Sequence, residues 1–173
     1  MKRLIAIVAL LCMVMSLAAC TAPQTSDNKG TTPNMGNPGD PNAYYFTYKG
    51  TEIRLNGDME VILNALGEPK NYTEETSCAF EGLDKTYTYG SFVIQTYPKA
   101  DKDYVYMFWF LDDLVQTPEG VKIGDTQAAV EAAYGADSYN GRNAYILKKD
   151  NYSMTVILED GVVSSIQYTI VIG

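Results

Sequence analysis

Histidine is missing altogether from the 173 residues. Without an imidazole, Ser-His-acid and Cys-His nucleophile arrangements are excluded, and so are His-based metal sites. Cysteine is scarce, with only Cys12, Cys20 and Cys78. Positive charge is in deficit too: 13 Lys and Arg stand against 21 Asp and Glu, for a net charge of −8. That balance disfavours nucleic acid as a partner and disfavours docking on anionic lipid through the protein surface. The chain also lacks a glycine-rich phosphate loop, a dinucleotide fingerprint and a twelve-residue calcium loop. The expectation is therefore no enzyme, no cofactor and no metal.

What is present begins with a leader. Met1-Lys2-Arg3 is a short basic start, and Leu4 to Leu17 is an almost unbroken apolar run closed by Leu17-Ala18-Ala19-Cys20. A basic start, an apolar stretch of this length and a small-residue cleavage site describe a signal peptide over residues 1–19, too short for a comfortable membrane span. Its last four residues resemble the lipobox of bacterial lipoproteins. The resemblance implies diacylation of the Cys20 thiol, cleavage before it, and a lipid anchor on the extracytoplasmic face of the cell envelope. Two acyl chains hold stably where one holds marginally, since each buried CH₂ adds ~0.8 kcal/mol. Cys12 leaves with the leader and Cys20 is committed to lipid, so Cys78 has no disulfide partner and reads as a small buried hydrophobe.

Residues 21–42 are rich in Pro, Gly, Asn, Thr and Ser, with almost no large apolar side chain. Such a segment cannot offset its ordering entropy and reads as a flexible tether with a span of roughly 25 Å. From Ala43 the composition turns to Tyr, Phe, Ile and Val, and residues 43–173 are expected to form one domain.

The element pattern recurs within that domain. Short strands at Tyr44 to Tyr48 and Thr51 to Leu55 precede a helix from Asp58 to Leu66, with Val61, Ile62, Ala65 and Leu66 on its apolar face and Gly67-Glu68-Pro69 as its stop. Strands follow at Thr86 to Tyr89, Ser91 to Tyr97 and Asp103 to Leu111. Gly124-Asp125 opens a second helix, with Ala128, Ala129, Ala132 and Ala133 inward and Gly135 as its stop. Three more strands follow at Ala144 to Lys148, Tyr152 to Leu158 and Val162 to Ile170, the last two joined by an Asp160-Gly161 hairpin. The Gly-Asp starts lie 67 residues apart and the stopping glycines 68 apart. The expected fold is α+β: tandem duplicated helix-plus-three-strand units, about 43–113 and 114–173, forming an antiparallel sheet with helices on one face.

Gly57-Asp58 through Leu66-Gly67-Glu68-Pro69, and Gly124-Asp125 through Tyr134-Gly135, resemble the opening of the BamE/SmpA-type lipoprotein module. Two such units in tandem are similar to β-lactamase-inhibitor-protein-like (BLIP-like) domains. The resemblance implies helices packed on one face of a sheet whose opposite face grips a protein partner. The second unit lacks the proline, and the chain lacks any disulfide.

Carboxylates cluster at Glu74-Glu75, Asp101 with Asp103, Asp112-Asp113 and Glu159-Asp160. A pair at suitable separation could hydrolyse a glycan, but acids at strand ends and turns are ordinarily solvated. Aromatic residues carry the stronger signal, with 14 Tyr in the chain. Period-two alternation puts Tyr104, Tyr106, Phe108 and Phe110 on one strand face and Val105, Met107, Trp109 and Leu111 on the other. Two readings follow. Either this strand is buried on both sides or at a dimer contact, or Tyr104, Tyr106 and Phe108, extended by Tyr87, Tyr89 and Tyr145, form an open platform for a protein or an envelope polymer. The functional expectation is a lipid-anchored, non-catalytic binding domain. Its alternatives are a structural component of an envelope-assembly complex and a carboxylate-dependent glycan hydrolase.

Overall fold

The computed structural model describes residues 39–171. Cys20, the leader and most of the tether lie outside the described residues. The described chain nevertheless begins earlier than the expected boundary at residue 43. Asp40 to Ala43 form a turn, with the Ala43 amide donating to the Asp40 carbonyl at 3.1 Å and the Asn42 amide to Asp40 Oδ1 at 2.8 Å. The Arg54 guanidinium donates to the carbonyls of Ala43 (2.6 Å), Pro41 (3.3 Å) and Asp40 (3.5 Å). Residues 40–42 thus belong to the folded part.

Two strands, β1 (Tyr45–Tyr48) and β2 (Thr51–Arg54), form a separate hairpin across Lys49-Gly50. Helix α1 (Met59–Leu66) follows, and then β3 (Asn71–Thr76), β4 (Leu83–Thr88), β5 (Phe92–Lys99) and β6 (Lys102–Phe110). Helix α2 (Gln127–Tyr134), a 3₁₀ turn (Ala136–Ser138), β7 (Ala144–Lys149), β8 (Tyr152–Glu159) and β9 (Val162–Ile170) complete the order. The seven later strands make one antiparallel sheet, β3-β4-β5-β6-β9-β8-β7. This is an α+β fold. Among the described residues no helix is long and apolar enough to cross a membrane.

A single core cluster lies on one side of the sheet. Phe46 from the hairpin meets Phe92, Phe108 and Phe110, with ring centroids 4.9, 4.9 and 5.0 Å away. Met59 and Ile62 of α1 and Val130 of α2 join the same cluster, as do Tyr145, Met154, Val156, Ile166 and Tyr168 from the sheet. Both helices therefore stand on the side that the hairpin covers. Their inward faces differ from expectation. In α1 Met59 and Ile62 are buried while Val61 and Ala65 face out, and in α2 Val130 is buried while Ala128, Ala129 and Ala132 face out. A helix of eight residues presents little more than two turns, so one well-placed Met or Val decides which face turns inward.

Each helix begins in the same way against the last strand of its half. Asn56 N donates to the Val105 carbonyl and Val105 N to the Gly57 carbonyl; Gly124 N donates to the Val163 carbonyl and Val163 N to the Asp125 carbonyl. Asn56 (φ 62°) and Gly124 (φ 89°) both turn the chain through the left-handed region. The N-caps are Asp58, which accepts from Glu60 N, and Thr126, which accepts from Ala129 N. Caps and stopping glycines are thus both offset by 68 residues, and the second helix opens at Thr126 rather than at Asp125.

Strand β3 went unrecognised because all six of its residues, Asn-Tyr-Thr-Glu-Glu-Thr, are exposed at the sheet edge and carry no apolar alternation. Cys78 lies exposed on the loop after it and is not the buried hydrophobe expected.

Phe46→Ala should cost about 3–5 kcal/mol of unfolding free energy through the cavity it leaves, read as a fall in urea midpoint. Thr47→Ala, exposed on the same strand, should leave the midpoint within error, and equal losses at both positions would contradict this packing.

Candidate functional site

Strand β6 departs from strict alternation. Gln95 pairs with Met107 but Thr96 pairs with Val105, so Tyr106 is an extra residue bulged from the ladder. A bulge shifts the side-chain parity on either side of it. Val105, Phe108 and Phe110 consequently all point into the core. Strand β9 repeats the device: Ile157 pairs with Ser165 and Leu158 with Val163, leaving Ser164 unpaired.

The expected platform is dispersed by this geometry. Phe108 and Tyr145 are 0% exposed, and Tyr87 and Tyr89 are 6% exposed, all four within the core. Phe108 lies against Tyr168 at 4.6 Å, and Tyr145 donates to Glu131 Oε1 at 2.7 Å. Tyr89 donates to the Gly67 carbonyl at 3.2 Å, which ties β4 to the end of α1. Tyr104 and Tyr106 are half-buried at the β5–β6 hairpin end of the core and pack against it beside Tyr97 and Phe80 respectively. There Tyr97, 1% exposed, donates to buried Asn56 Oδ1 at 2.5 Å. The six residues do not share one open face.

The face away from the helices carries a different constellation, which sequence reasoning missed. Because Phe108 points inward, its neighbours Met107 and Trp109 point outward, and both are half-buried outside the core cluster. Val93, opposite Trp109, is buried yet also stands outside that cluster. Following the ladders outward gives two parallel rows. One runs Thr73, Thr86, Gln95, Met107, Thr169, Ser153, Lys148. The other runs Asn71, Thr88, Val93, Trp109, Gln167, Thr155, Ile146. With strands about 4.8 Å apart, each row spans roughly 29 Å. Lys148 is the one charged member, and none of the chain's 21 acids falls in either row.

The acids sit elsewhere. Glu74 and Glu75 lie on β3, Asp101 at a hairpin tip, Asp112 and Asp113 beyond β6, and Glu159 and Asp160 at the β8–β9 turn. Asp103 is paired with Lys85 at 2.7 Å. Asp58 pairs with Lys102 at 2.5 Å, and that hydrogen bond holds its carboxyl below the ordinary value. Among the described residues no three ligating side chains gather to hold a metal ion.

Two solved structures are similar to this chain in part. One, at a TM-score of 0.42 and 14% identity, is an extracellular protein containing a SCP domain from Bacillus anthracis; the match covers 66% of this chain and 43% of that one. The other, at 0.48 and 13%, is a cysteine-rich secretory protein from Staphylococcus aureus; it covers 81% of this chain and 48% of that one. This chain therefore spans less than half the length of either. No family model matches it. No curated protein matches it. Neither structural neighbour is a BamE/SmpA-type or BLIP-like protein, and that resemblance is overturned. Its motifs were helix punctuation of a general kind: a polar N-cap, and Gly67 (φ 76°) and Gly135 (φ 79°) stopping the helices, with Pro69 beyond the first.

Burial raises the phenols on the core side. Tyr87 is pushed up to about 12, first by desolvation and then by Asp103, Tyr89 and Glu74. Tyr168 is raised well above its ordinary value by burial, then by Tyr134, Glu119 and Tyr44. In the unfolded chain these groups ionise near pH 10. Above that pH the unfolded state sheds protons that the folded state keeps, so stability is whole below pH 10 and is lost as pH rises toward the folded values. Urea midpoints measured between pH 8 and pH 11.5 should be level at first and then fall, and a flat profile would count against buried phenols.

Proposed function

We propose that this chain is a lipid-anchored, extracytoplasmic, non-catalytic binding domain that takes an extended, neutral envelope polymer across the open face of its sheet. The observation that carries this reading is the pair of cross-strand rows centred on Trp109. An indole offers a large rigid apolar surface with one donor, and the flanking Gln and Thr supply neutral donors and acceptors on both sides. That mixture suits a glycan strand, whose sugars present an apolar ring face and a rim of hydroxyls. The absence of acids from the rows spares a neutral polymer the cost of desolvating carboxylates as it docks.

Trp109 is the only tryptophan in the sequence, so its emission reports on this face alone. Titration with soluble N-acetylglucosamine oligomers, which carry no charge, should give a saturable change in Trp109 emission. Gln167→Ala should weaken the fitted affinity about tenfold, with the melting temperature unchanged. Emission indifferent to every oligomer, or Gln167→Ala binding like the parent, would defeat the reading.

The anchor belongs to the same proposal. The lipobox-like Leu17 to Cys20 supports acylation at Cys20, which would hold the domain beside the polymer. The wild-type chain should carry acyl mass on its N-terminal residue and partition into detergent. Cys20→Ser should carry none and stay in the aqueous phase.

The two halves also support descent from one duplicated helix-and-strand unit. The common 68-residue offset of caps and stops, the matched Val105 and Val163 contacts and the paired bulges at Tyr106 and Ser164 favour it.

A further inference from the structure

A depression on the helix side of the sheet lies between the end of α1 and β3, one of the two edge strands. Its volume is about 470 Å³, and it is lined by Leu63, Asn64, Gly67, Glu68, Pro69, Tyr72 and Tyr87. Three independent features there favour positive charge. The rings of Tyr72 and Tyr87, 5.1 Å apart, form an aromatic wall, and ring faces attract cations. The C-terminal end of α1 carries the partial negative charge of a helix end, with no basic residue in its last turn. Glu68 follows directly after the stopping glycine, where a carboxylate is like-signed with the helix end and weakens the helix. Nearby lysines are turned to other uses, Lys85 pairing with Asp103 and Lys70 lying against Gly90 in the neighbouring depression.

The same depression is bounded by Tyr72 of β3, one of the two edges of the sheet. An edge strand offers unpaired backbone groups to an extended chain, and natural edges are blunted by charged side chains, lysine above all, or by proline. The charges on β3 are Glu74 and Glu75, which discourage an acidic chain but leave the edge open to a basic one. The Tyr72 hydroxyl donates to Glu74 Oε2 at 2.6 Å, fixing the ring and the carboxylate side by side. Both residues point to the same face, since they stand two apart on a strand. The Tyr72 phenol is raised by burial first and then by Glu74, consistent with a negative local potential.

We infer that β3 is a docking edge for an extended basic segment of a partner protein. The segment adds as an eighth strand and seats one lysine or arginine between Tyr72 and the end of α1. A second basic residue, two positions along, meets Glu74. The preferred pattern is thus basic residues at alternate positions, which place both side chains on one face. A second copy of this chain is a poor occupant because its net charge is −8. This site lies on the opposite side of the sheet from the Trp109 rows and does not depend on them.

The test uses full-length protein in neutral detergent and a fluorescein-labelled peptide, Thr-Lys-Val-Lys-Val-Thr, blocked at its C-terminus. Saturable anisotropy is expected, weakened at least fivefold by Glu68→Gln and by Tyr72→Ala, with circular dichroism showing each variant still folded. Photo-crosslinking from the peptide should map to β3. Replacing both lysines with glutamine should abolish binding, and moving them to adjacent positions should weaken it. No saturable binding, equal binding of the glutamine peptide, crosslinks on the Trp109 face, or indifference to Tyr72→Ala would each overturn the proposal.

Discussion

Phe46 sits where three rings of the sheet converge, and the remaining architecture follows from that contact. The two helices are too short to roof a seven-stranded sheet, and α2 buries only Val130 in the core. The hairpin of β1 and β2 supplies the missing cover by lowering one aromatic side chain onto Phe92, Phe108 and Phe110. Dispersion and burial are strongest where large rings interlock, so this is the natural centre of the core. With hairpin and both helices committed to one side, the other side of the sheet is left to meet water or a ligand.

The two bulges make this one-sidedness possible. An uninterrupted β6 would put Val105 on the face opposite Phe108. The extra residue at Tyr106 re-phases the strand, so both reach the core and Trp109 is turned outward. In β9 the extra Ser164 lets Val163 and Ile166 both face inward while Gln167 and Thr169 face outward. Polar residues on β9 and β8 then complete rows begun on β4 and β5. Acidic residues collect at hairpin tips and along β3, outside those rows, with Glu75 and its ladder partner Asp84 beside the Thr73–Thr86 end.

Much of the element order was legible in the chain. Strand β9 and the Asp160-Gly161 hairpin were readable because β-branched alternation and turn chemistry agreed there. The stop at Gly67-Glu68-Pro69 was plain for the same reason. Strand β3 was not legible, since an edge strand exposed on both faces needs no hydrophobic pattern and shows none. The facing of Tyr104, Tyr106 and Phe108 was illegible for a different cause: a bulge is a property of pairing between strands, and nothing local in Val-Tyr-Met announces it. Trp109 was assigned to the helix side by that same error of one residue. The helix faces were misjudged where alanine runs in α2 outweighed a lone valine.

Arg54 has a mechanical consequence. Its guanidinium grips the three carbonyls of Asp40, Pro41 and Ala43, just upstream of the first hairpin rung, Tyr45 with Arg54. Tension arriving along the chain from its N-terminal side therefore loads this grip before it can peel β1 from β2. The arrangement works as a strain relief does on a cable, spreading a pull over several weak bonds at the rim. Phe46, one turn of the pleat further in, is spared the load.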